Sequence, residues 1–210
     1  MKTKKLLLLF CLAVTLACVC NYQAQAQPVY AGQISPDSTD RGWHEVDGVI
    51  YITFSSDSAV GKGWLKRLES KGETVTKYAK DLISSPGFKS TKGVKEIAIL
   101  RSSLFRDGER TYEHILDAAR SGKFTGGRKL LNPDAEIACF IREKFSDEEL
   151  REMGLEWVIV FHKPLKDPKK NNPNLLVVNS KIGEVAGYWV FSGGQWGGRN
   201  DGFAFKLSPQ

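Results

Sequence analysis

Apolar positions recur at spacings of three and four over much of the chain before residue 154, and short continuous or alternating runs follow it. The longest apolar run outside the N-terminus is residues 155–162, LEWVIVFH. Five of its eight residues are aromatic or β-branched, it is too short for a typical helix, and Gly154 and Pro164 bound it. It predicts a buried strand. Residues 48–54 (GVIYITF) predict a second strand on the same composition, and residues 94–100, ending Ile97, Ala98, Ile99, Leu100, a third.

Helices are expected between these strands. Trp64, Leu65 and Leu68 share a face that stops at Gly72; Val75, Tyr78, Ala79 and Leu82 share another, with Thr74 as cap and Pro86 as stop. Residues 109–121 carry Tyr112, Ile115, Leu116 and Ala119 and close at Gly122. Residues 134–144, opened by Asn132-Pro133, carry Ile137, Ala138, Phe140 and Ile141. Ser146 with Glu149 three residues on is a capping box, and Gly154 supplies the left-handed stop.

Beyond residue 162 the prolines and asparagines of 164–174 make a loop, 175–179 a strand, Gly183 a turn and 185–191 another strand, in which Trp189 reads as core. The last strand alternates: Phe203, Phe205 and Leu207 on one side, Ala204 and Lys206 on the other, the pattern of a half-buried strand near an edge. The fold class that follows is α+β: a mainly antiparallel C-terminal sheet of about four strands, joined by the N-terminal strands and covered by four to five short helices.

The N-terminus changes the compartment. Lys2, Lys4 and Lys5 precede an apolar segment at 6–20 and a polar stretch ending Ala24-Gln25-Ala26, the three parts of a secretory signal peptide. Cleavage between Ala26 and Gln27 is expected, leaving no transmembrane span. A lipid anchor on Cys18 competes, but only Ala17 occupies a position that such a motif requires. Residues 27–41, polar and rich in Pro, Gly, Ser and Asp, read as a flexible lead-in, and 42–210 as a single globular domain. The expected location is exported: periplasmic, cell-surface or extracellular.

Three of the four cysteines lie in the leader, so the mature chain keeps Cys139 alone and closes no internal disulfide. Removing the three leader lysines leaves 27 basic against 24 acidic residues, a net charge of +3 that argues against nucleic acid as partner.

Candidate chemistry is sparse. Gly61-Lys62 follows a strand, but Ser56 and Gly63 stand where a phosphate-binding loop needs Gly and Ser or Thr. Cys139 sits mid-helix among apolar neighbours and reads as an inert thiol. The three histidines show no paired metal spacing, and neither metal nor cofactor is expected. His162 is the one weak catalytic candidate, at a strand end where Asp167 or a carboxylate from another strand would orient it. Lys163, Lys166, Lys169 and Lys170 form a basic run that reads first as a solvated loop, with contact to anionic envelope polymer or lipid head groups as the alternative.

The leading binding candidate is loop 192–202, SGGQWGGRNDG. It is long for a hairpin connection, its five glycines let backbone approach a ligand, and Trp196 ringed by Gln195, Arg199, Asn200 and Asp201 combines a stacking face with polar partners, as sugars require. The leading expectation is therefore an exported, non-catalytic domain binding a glycan or other envelope ligand through this loop. The alternatives are a cell-envelope hydrolase using His162 or sheet carboxylates, and a structural envelope protein without small ligand.

Overall fold

The computed structural model describes residues 42–191 and 193–209; the signal peptide, its cleavage at Ala26 and Gln27, Cys18 and the lead-in to residue 41 lie outside the described residues. The strands are β1 (Trp43–Val46), β2 (Val49–Ser56), β3 (Thr74–Val75), β4 (Gly93–Arg101), β5 (Leu130–Leu131), β6 (Trp157–Val160), β7 (Leu165–Lys166), β8 (Pro173–Asn179), β9 (Glu184–Trp189) and β10 (Asp201–Leu207). The helices are α1 (Gly61–Ser70), α2 (Lys77–Ile83), α3 (Tyr112–Ser121), α4 (Glu136–Lys144) and α5 (Asp147–Glu152). No helix among the described residues is long and apolar enough to cross a membrane.

The ten strands among the described residues join one sheet in the order β1-β2-β4-β10-β6-β8-β9-β3, with β5 added to β10 and β7 to β8. The mix of strands and helices agrees with an α+β chain, but the expected small, mainly antiparallel C-terminal sheet is corrected. The N-terminal β2 and β4 are integral to the same sheet, and the sheet is mixed: β10 runs parallel to β6, and β3 parallel to β9. β10 is also not near an edge. It lies between β4 and β6, with Phe203, Ala204 and Phe205 all fully buried.

The reason is that both faces of the sheet are covered. Ile50, Ile52, Ile97, Ile99, Val158, Val160, Leu176, Val178 and Ala204 pack against α1, α2, α4 and α5 through Trp64, Leu68, Leu82, Ile137, Ile141 and Leu150. The alternate residues Val49, Ala98, Leu100, Ile159, Phe161, Leu175, Val177, Phe203 and Phe205 pack against α3 and the Phe105 region. A strand buried on both faces has no polar side, so it reads as a continuous apolar run, as residues 97–100 and 158–161 do. Each such Val, Leu, Ile or Phe contributes about 1.5–3 kcal/mol on burial, so the two layers are the main source of stability.

Local signals place the helices. The capping box at α5 forms, with Ser146 Oγ accepting from Glu149 N at 3.2 Å and Glu149 Oε2 accepting from Ser146 N at 2.7 Å. Gly154 takes the left-handed conformation at φ +68°. Thr111 caps α3, and Gly122 ends it at φ +72°. At α2 the cap is Thr76, accepting from Ala79 N at 3.2 Å, whereas Thr74 belongs to β3. The parallel pairing of β3 with Glu184 and Val185 takes up the residues expected to start that helix.

Candidate functional site

Residues 193–202 do not stand away from the body. Trp196 donates its backbone N–H to Arg110 O at 2.6 Å, and Gln195 bridges Thr111, so the loop is laced to the segment that leads into α3. The indole is then only 1% exposed, packed beside Tyr188 (5.1 Å between ring centroids), Phe161 (5.9 Å) and Tyr112 (6.1 Å). The expected open stacking face of Trp196 is thereby corrected: its ring closes the end of the Phe161–Phe203–Phe205 layer.

Two of the loop's glycines, Gly194 and Gly202, serve close packing. A Cβ on Gly194 would lie 1.9 Å from the Phe191 ring, so only glycine lets the backbone cross that face. Asp201 turns inward, accepting from Gly198 N, and burial outweighs that hydrogen bond to push its carboxyl above the usual range. Gln195, Arg199 and Asn200 remain exposed, with Asn200 Nδ2 donating to Glu156 Oε1 at 3.3 Å. The five candidate residues thus divide, with Trp196 and Asp201 inside and the other three outside, and they form no ring about the indole.

His162 lies at the end of β6, fully enclosed at 1% exposure. Its Nε2 accepts the backbone N–H of Leu176 at 2.9 Å, which requires the proton to sit on Nδ1, placed 2.8 Å from Lys163 O as donor. Burial drives its pKa down to about 4, against a small opposing pull from the Lys163 carbonyl. The ring is neutral near pH 7 and both nitrogens are engaged by backbone. Asp167, the expected orienting partner, instead accepts from Lys169 N (2.6 Å) and Lys170 N (3.0 Å). Those two amides, with the Tyr78 hydroxyl, hold its carboxyl below the usual range.

Other sequence candidates have structural reasons of their own. Cys139 is fully buried under the sheet, and burial pushes its thiol well above the usual range, so the thiolate that reacts as nucleophile is suppressed. Gly61 opens α1 where a Cβ would stand 1.8 Å from Ile83 O, so it is there for the close crossing of α1 and α2. Among the described residues, no three His, Cys, Asp or Glu side chains gather as metal ligands would.

The exposed aromatic surface is elsewhere. On β9, Tyr188 is 41% and Trp189 52% exposed, and Phe191 just beyond the strand is 40% exposed. Trp189 and Phe191 lie 5.6 Å apart at 45°. The expectation that Trp189 is core is corrected by strand order: β9 has β8 on one side, and on the other only the two residues of β3, which pair at Glu184 and Val185. Beside Trp189 in register stands Asn174, buried, whose Oδ1 has no hydrogen-bond partner among the described residues. Tyr78 packs nearby over Gly187, where a Cβ would meet its ring at 2.6 Å. Burial, then the Asp167 carboxylate, push the Tyr78 phenol up to about 12.

No alternation marks residues 185–191 as open, because the segment is apolar on both sides; the one signal it carries is a glycine amid aromatics, which leaves room for Tyr78. Comparison with protein-family models, curated proteins and solved structures finds no match, so the site is read from its own geometry.

Proposed function

We propose that the chain is an exported, non-catalytic binding domain for a glycan or similar envelope polymer, and that its stacking surface is formed by Trp189 and Phe191. The observation that supports this is the pair of adjacent, half-exposed aromatic rings at the end of β9, where the edge away from β8 is open. Sugar C–H faces stack on such rings, and covering exposed aromatic surface removes its unfavourable hydration. Gln195, Arg199 and Asn200, exposed on the loop that begins beneath Phe191, supply donors and acceptors for hydroxyl groups. In this reading Trp196 has an indirect part: it anchors the loop whose Gly194 supports the Phe191 ring. The engaged nitrogens of His162 give no support to a hydrolase built on that residue.

A glycan array probed with the protein from Gln27 onward identifies the ligand, and titration of the best oligosaccharide against Trp189→Ala and Phe191→Ala tests the surface. Affinity is expected to fall at least about tenfold in each variant. An array without signal, or wild-type affinity in Trp189→Ala, refutes the proposal.

A further inference from the structure

A cavity of about 530 Å3 opens where three connections meet: Ser85 to Lys89 after α2, Asn132 to Ala135 before α4, and His162 to Lys166 after β6. A second, of about 370 Å3, adjoins it at the start of α1 and shares Ser85, Pro86 and Lys89 as walls. Both volumes fall in the range of small-molecule sites.

The charged side chains on the walls are mostly lysines. Lys89, Lys163 and Lys166 line the larger cavity, and Lys62 with Lys89 the smaller; none of the four makes an ion pair among the described residues. The larger cavity has one carboxylate, Asp134, and it is already neutralised. Burial opposes its charge, yet the Thr91 hydroxyl and Lys95, at 3.0 Å, hold its carboxyl below the usual range.

Glu136, the next residue but one, is fully buried and occupied by Ser56 at 2.8 Å, by Ser90 and by Thr91 N. His162 adds a neutral wall. Asp134 and Glu136 are therefore both engaged within the protein, while the four lysines make no ion pair among the described residues.

We infer that this double cavity binds a small organic anion bearing at least two phosphate or carboxylate groups. Ammonium groups converging on a cleft with low-dielectric walls raise the local concentration of anions, and ligand charge relieves the repulsion among them. Pro86, Pro133, Pro164 and Leu165 offer apolar wall to the ligand's body. Ser85 Oγ, on the wall common to both cavities, is enclosed and has no partner among the described residues, so it is available to a bound oxygen. This site is separate from the β9 aromatic surface.

The test is calorimetric titration of the full protein with citrate and with pyrophosphate, at low salt and again with added sodium chloride. Saturable one-site binding by at least one probe is expected, weakening with salt and falling about tenfold or more in Lys89→Gln/Lys163→Gln. Lys129→Gln, an exposed lysine outside the cavity walls, and Trp189→Ala should bind as wild type. Preference for citrate or for pyrophosphate assigns the ligand to carboxylates or phosphates. Absence of saturable binding by either probe, or an equal loss in Lys129→Gln, overturns the inference. All three lysines are exposed, so a folded circular-dichroism spectrum is expected for each variant.

Discussion

The imidazole Nε2 of His162 takes the backbone N–H of Leu176 at 2.9 Å, one residue past the point where the β6–β8 ladder ends at Ile159 and Val177. A side chain thus replaces a strand as acceptor, because the chain turns away after β6, with His162 N bonding back to Val160 O at 2.8 Å. Phe161 meanwhile continues towards β10 through Ala204 O at 3.0 Å. One neutral histidine therefore completes the middle of the sheet.

That role predicts a pH dependence. The His162 pKa is about 4 in the folded protein and near its ordinary 6.5 when unfolded. Between those values the unfolded state binds more protons, so stability is full above about pH 6.5 and falls as pH drops towards about 4, by about 3 kcal/mol in total. His162→Gln removes this term. Urea denaturation at about pH 7.5 and about pH 4.5 should show a smaller acid loss in the variant than in wild type. Equal losses would show that the ring is not held neutral.

The two tryptophans near the C-terminus should behave oppositely in stability. Trp196→Ala leaves a large cavity beside Phe161 and is expected to cost about 3–5 kcal/mol. Trp189→Ala, at a half-exposed position, should cost about 1 kcal/mol or less. Denaturation midpoints with unchanged slopes decide it, and the reverse order would mean that the loop does not close the core.

Two glycines in α1 separate packing from propensity. Gly61→Ala drives a methyl group into Ile83 O and should destabilise towards the upper end of about 1–3 kcal/mol. At Gly63 a Cβ meets only Ala59 at an ordinary 3.6 Å, so Gly63→Ala should stabilise by about 0.5–1 kcal/mol. Thermal melts of both variants give the signs, and a stabilising Gly61→Ala would rule out the close crossing.

Local chemistry was legible in the residue order. The capping box at Ser146 and Glu149, the left-handed Gly122 and Gly154, the apolar runs of β2, β4 and β6 and the buried Cys139 all follow from a residue and its near neighbours, since caps, turns and periodicity are satisfied within a few positions. What needed the tertiary structure was everything set by strand order. The same apolar segment is core when strands flank it and surface when they do not: β10, with its polar Lys206, entered the middle of the sheet, while β9, apolar from Val185 onward, was left open at Trp189. Trp196 went inside because Arg110 and Thr111, some 85 residues earlier, bind the backbone of Trp196 and Gln195 respectively. Likewise Lys89, Lys163 and Lys166 line one cavity only because the connections after α2 and after β6 end on the same side of the fold. Pairing across such separations depends on which backbone edges remain free once the core has packed, and a local pattern of residues carries no record of that.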